Sequence, residues 1–145
     1  MHGGAIYEPF DVTSAQFSLP FSVALRLVKN DNDLSLYMDQ RLWRDSTLLA
    51  LANKVKTYGD PEATGDRNYA VKMEIKLSNG RVSQISQEFP RGCPLNPVGR
   101  NELRIKFEKL ASAVLPTSRI EEVIEKVDRF EKLNDVSTIV PLLVS

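Results

Sequence analysis

Arg91 is the side chain in this sequence whose setting suggests chemistry. It stands in Pro90–Gly99, PRGCPLNPVG, a stretch with three prolines and two glycines that cannot form regular structure. A guanidinium followed by a permissive glycine can offer a fork of donors, with backbone amides beside it, to a carboxylate. The same arginine can instead pack or cap the end of the preceding hairpin, and spacing alone leaves both roles open. Cys93 lies next to Pro94 with no neighbour in sequence to activate the thiol, so no nucleophile is expected there. His2 is the only histidine and sits beside Gly3 and Gly4. Without a second one, no Ser-His-Asp or Cys-His arrangement can be drawn except through a residue in a flexible lead-in. Zinc-ligand spacing, a dinucleotide fingerprint and a phosphate-cradling loop are all missing. No catalytic residue and no metal ligand is assigned, and no cofactor is expected.

The bulk composition narrows the class. At 145 residues the chain suits one domain with a core of its own. Basic and acidic residues balance at 19 each, which argues against a nucleic-acid partner, since such a partner calls for a basic face. One cysteine fits a reducing compartment. No apolar run reaches the roughly 18 residues of a membrane span, and the start lacks the pattern of a signal peptide. The expectation is a cytoplasmic protein without a membrane partner, with residues 1–12 as a lead-in and 13–145 as a single domain.

The elements that must position Arg91 follow from periodicity. Thr13–Val28 is the longest apolar run, with Phe17, Phe21, Ala24, Leu25 and Val28 at helical spacing and a Thr13/Gln16 capping box at its start. Pro20 predicts a kink or a broken first turn. Ala5–Tyr7 is compatible with a short edge strand. Asp45 is an N-cap for a helix carrying Leu48, Leu49, Leu51, Ala52 and Val55, and Trp43 packs at that junction. Residues 62–68 read as an exposed loop. Val71, Met73, Ile75 and Leu77 alternate with polar residues, so they predict a strand, and Asn79-Gly80 predicts a hairpin turn. A two-residue turn pairs Leu77 with Val82 and puts Gln84 opposite Ile75, which requires a bulge near Ser83 or a weakly buried second strand. Helices follow over Arg100–Leu115 and from a Ser118/Glu121 capping box, the latter with Glu122–Lys126, Glu125–Arg129 and Asp128–Lys132 pairs. Asp135 caps a last short segment interrupted by Pro141. The fold predicted is α+β: two layers, an antiparallel sheet with a central hairpin, helices on one face. Phe17, Leu25, Ile75, Leu77, Phe107 and Ile124 are expected in one core.

Four stretches in order, SAQFSLPFSVAL, LSNGR, PRGCPLNPVGRNELRIKF and a capped amphipathic helix, resemble the C-terminal half of the MmgE/PrpD family. That family includes 2-methylcitrate dehydratase, cis-aconitate decarboxylase and iminodisuccinate epimerase. The resemblance implies a smaller lid domain that closes on a large helical N-terminal domain, the latter supplying most of the acid–base residues. It implies a dehydratase-like lyase setting, a small di- or tricarboxylate substrate, and an N-terminal-type helical domain or a second copy as partner. It marks Phe21 and Arg91 as candidate substrate-binding residues. Phe21 stands where the family often has tyrosine, Cys93 where it has aspartate, and Gly99 where it has serine. The resemblance thus points to a lid that is inactive alone; the alternative is a stand-alone binding or dimerisation module that keeps the fold without catalysis.

Overall fold

The computed structural model describes residues 5–61 and 69–144. His2 and the 62–68 loop therefore lie outside the described residues. The chain forms two compact units, Met1–Glu62 and Ala63–Ser145.

In the first unit the long apolar run is two helices, not one: α1 (Val12–Phe17) and α2 (Leu19–Lys29). The box at its start is built by Asp11 and Ser14 rather than Thr13 and Gln16. Asp11 accepts from the Ser14 amide at 2.6 Å, and the Asp11 amide donates to Ser14 Oγ at 2.9 Å. Ser18 breaks the run. Its extended backbone closes α1, and its hydroxyl accepts from the Phe21 amide at 3.0 Å to open α2. Pro20 then falls in the first turn, where a missing amide hydrogen costs little. The break also changes the helical phase between Phe17 and Phe21. Phe21 is fully buried, while Phe17 is 80% exposed instead of joining the core. Asn30, with φ of 53°, ends α2 in the left-handed region.

α3 (Leu34–Met38), a 3₁₀ turn at Leu42–Arg44 and α4 (Ser46–Ala52) complete this unit. Asp45 caps α4 as expected, accepting from the Thr47 and Leu48 amides at 2.9 and 3.0 Å. Trp43 is buried at the junction and donates Nε1–H to the Tyr37 carbonyl at 2.9 Å. Ala15, Phe21, Ala24, Leu25, Tyr37, Leu42, Trp43, Leu48 and Ala52 form one core. Ala5–Tyr7 makes no strand. The segment is tied down by side chains instead: the Ser18 hydroxyl donates to the Ile6 carbonyl, and the Tyr7 hydroxyl to the Val55 carbonyl.

The second unit holds the antiparallel pair β1 (Val71–Lys76) and β2 (Val82–Gln87). The register differs by one residue from the expected one. Lys76 faces Val82 and Met73 faces Ile85, because the turn uses three residues, Ser78 to Gly80. Leu77 N–H reaches the Arg81 carbonyl at 2.8 Å, and Gly80 takes φ of 82°, as a three-residue hairpin loop demands. This shift restores the alternation, so Ile85 shares a face with Met73 and the pairing runs through Ser83 without a bulge. The second strand is weakly buried: β2 is exposed along its length, and β1 half-buries only Met73 and Ile75. Helix cover on one face of the hairpin is therefore thinner than predicted.

α5 (Arg100–Ala111) and α6 (Thr117–Asp128) follow, then 3₁₀ segments Phe130–Lys132 and Val136–Leu143. α5 ends at Ala111, short of Leu115. α6 starts at Thr117 with Pro116 as N-cap, so Ser118 lies inside the helix and no Ser118/Glu121 box forms. The Glu122–Lys126 and Glu125–Arg129 pairs are present at 3.8 and 3.2 Å. Asp128 pairs with Arg100 rather than Lys132, since the helix stops before that turn. Asp135 accepts from the Ser137 amide at 2.8 Å. Ala111, Leu115 and Ile120 form the core here, with Phe107 and Ile124 packed against them half-buried. The six residues expected in one core therefore do not form one: Leu25 belongs to the first cluster, Phe107 and Ile124 to the second, and Phe17 and Leu77 are exposed. The fold is α+β, with a two-stranded antiparallel sheet among helices.

Candidate functional site

The Pro90–Gly99 loop is built around its arginine. Two turns fold it: Cys93 N–H to the Pro90 carbonyl at 3.3 Å, and Asn96 N–H to the Cys93 carbonyl at 3.0 Å. Gly92 N–H closes the loop on the Asn96 carbonyl at 2.8 Å, with φ of 97° that only glycine adopts readily. Into this frame Arg91 sends three bonds. Nη1 donates to Asn96 Oδ1 at 3.0 Å and to the Pro97 carbonyl at 2.6 Å, and Nη2 pairs with the Glu102 carboxylate. Asn96 Nδ2 in turn donates to the Phe89 carbonyl at 3.0 Å, tying the loop to the end of the hairpin.

Glu102 joins the loop to α5. It is the third residue of the helix, and its carboxylate accepts from the Gly99 amide at 3.1 Å. That is half of a capping box, since glycine has no side chain to return a bond. The Gly99 amide and then the Arg91 guanidinium hold the Glu102 carboxyl below its ordinary value. Because the folded value is depressed, these bonds stabilise the loop above the unfolded glutamate value of about 4.3 and are lost as pH falls through the folded value. In an NMR titration Glu102 is expected to titrate below the ordinary glutamate range, and Arg91→Ala should move its midpoint upward. An unmoved midpoint would show that the guanidinium does not act on Glu102.

Arg91 thus has donors engaged in the loop while its side chain stays 53% exposed. A guanidinium has five N–H groups, and three have partners here, so its outer edge can still meet a carboxylate. Phe21 lies in the first unit, fully buried with its ring edge-on to Tyr37 at 6.5 Å between centroids. The Tyr37 hydroxyl donates to Ser22 Oγ at 3.0 Å. The two candidates belong to different units. Sequence reasoning missed Glu102 and Asn96 as the groups that fix Arg91. The signal was available for Glu102, an acid three residues after the helix-starting Gly99, but none existed for Asn96.

A charged groove of about 440 Å³ runs along α5 and α6, lined by Arg100, Arg104, Glu121, Ile124, Glu125, Asp128 and Arg129. Its three arginines face three carboxylates, with Arg100–Asp128 and Arg129–Glu125 paired, so the groove has no surplus charge to attract an anion. Among the described residues no group of three or more His, Cys, Asp or Glu side chains stands close enough to hold a metal ion, and no helix is long and apolar enough to cross a membrane.

The sequence matches the MmgE/PrpD C-terminal domain over residues 2–131, across both units. The chain belongs to the MmgE/PrpD family. A curated relative, cis-aconitate decarboxylase of Aspergillus terreus, is 29% identical over 148 residues, covering 98% of this chain and 30% of that protein. The chain therefore spans less than a third of the length of the curated relative it matches. Within this MmgE/PrpD domain, the PRGC loop is a braced corner between the hairpin and α5.

Proposed function

We propose that this domain works as the C-terminal lid of an MmgE/PrpD enzyme acting on a small di- or tricarboxylate, closing over substrate held by a helical N-terminal-type domain. The observation that carries this reading is the extent of the match: nearly the whole chain aligns with under a third of a decarboxylase. The residue inventory supports the same division of labour. Eliminating water or carbon dioxide from a carboxylate calls for a positioned acid or base with a suitable pKa. The candidates in this chain are a guanidinium, which carries donors and no acceptor, and a phenylalanine, which has no polar atom at all. The half-exposed guanidinium suits binding, and the buried ring suits shaping the core around it; neither suits proton transfer.

On this reading the purified chain alone turns over neither cis-aconitate nor 2-methylcitrate. Incubation with each, followed by proton NMR, is expected to show unchanged substrate. Turnover by the chain alone, lost on substitution of one of its own residues, would overturn the lid reading in favour of an independent enzyme.

A further inference from the structure

α2 has two apolar faces. One, with Pro20, Phe21, Ala24 and Leu25, is buried in the core. The other carries Leu19, Val23 and Leu27, four residues apart and so on one side of the helix. Leu19 and Leu27 are 55% and 54% exposed, and Val23 is half-buried. Just upstream, Phe17 and Phe10 are exposed as well. Single exposed apolar residues are ordinary, but an ordered row with two exposed phenylalanines within ten residues upstream is the pattern of an interaction surface.

The start of the domain indicates what covers this face. Residues 6–10 are pinned at α1 and α2. The Ser18 hydroxyl, one residue before Leu19, holds the Ile6 carbonyl, and the Phe10 amide donates to Ser14 Oγ at 2.9 Å. Whatever precedes a C-terminal domain joins it at this end, and 70% of the matched decarboxylase lies outside the part this chain covers. We infer that Phe10, Phe17, Leu19 and Leu27 form the docking face for the part of an MmgE/PrpD protein that precedes this domain. The inference rests on the lid reading and adds the surface through which the lid is held.

The test pairs the full chain with the portion of the A. terreus decarboxylase that precedes its matched stretch, made as a separate chain and checked for folding by circular dichroism. Binding is measured by calorimetry for the wild type, for the double variant Phe17→Ser/Leu27→Gln, and for Val140→Gln, an exposed apolar position of the second unit. The expected result is binding by the wild type, at least tenfold weaker binding by the double variant, and unchanged binding by Val140→Gln. All three should keep the same melting temperature, because the altered side chains are exposed. Undiminished binding by the double variant, or equal weakening by Val140→Gln, would overturn the docking face while leaving the lid reading intact. No binding by the wild type counts against the lid reading itself. A dimer of this chain in light scattering that the double variant dissolves would assign the face to a second copy and refute the inference.

Discussion

Phe21→Ala is expected to lower the unfolding free energy by about 3–5 kcal/mol, the range for removing a buried aromatic ring. Phe21 has no exposed surface and sits among Ala24, Leu25, Trp43 and Leu48, with Tyr37 against its edge. How far Leu25, Trp43 and Leu48 relax into the gap sets where in that range the loss falls. Urea unfolding followed by Trp43 fluorescence reads the effect, because that indole lies in the same cluster. A loss below 1 kcal/mol would show that the ring is not part of a packed core. The same truncation at Phe107, which is half-buried, should cost distinctly less. Phe21→Tyr is a finer probe. A buried hydroxyl without a partner costs about 1–3 kcal/mol. A tyrosine tolerated at no cost would indicate a polar atom within reach of the ring's tip.

Gly92→Val is expected to destabilise the second unit by about 2–3 kcal/mol, combining left-handed backbone cost with β-branched crowding. Gly92 holds φ of 97°, and a Cβ added there would lie 3.3 Å from Val98 Cγ2, so the new side chain meets the loop's own wall. Gly80 is the internal control. Its φ is 82°, but nothing lies within 4 Å of its would-be Cβ, so Gly80→Asn should cost little. Since the Gly92 amide closes the loop on Asn96, and Asn96 holds Arg91, the valine should also release the Arg91–Glu102 pair. Amide hydrogen exchange at Gly92 and Gly99 tests this directly. Unchanged protection at both would show that the loop does not depend on the glycine conformation.

The single residue of error in the hairpin register illustrates how little separates a right from a wrong reading of sequence. Asn79-Gly80 announced a turn, and a turn is there. Whether two or three residues form it depended on Leu77 N–H meeting the Arg81 carbonyl, a bond that composition does not specify. Every cross-strand partner moved with that choice. The caps divide in the same way. Asp45 and Asp135 stand next to their helices with amides directly ahead, so chain-local geometry sufficed. Thr13/Gln16 and Ser118/Glu121 have capping-box spacing, yet Asp11 and Pro116 start those helices earlier. Spacing gives the phase of a box, not the residue at which a helix begins.

Residue order alone reached only chain-local features. It gave the α+β class, a hairpin with helices before and after it, the family likeness, and the irregular loop that holds Arg91. Each of these rests on interactions between residues a few positions apart, where type and spacing nearly set the energy. Tertiary structure decided the rest. It split the long apolar run at Ser18, because the hydroxyl could serve the Phe21 amide and the Ile6 carbonyl at once, and that turned Phe17 outward. It also placed Glu102 and Asn96 on the Arg91 guanidinium, making the candidate ligand a brace of its own loop. Groups up to 12 residues apart must meet for these outcomes, and only the folded path of the chain fixes whether they do.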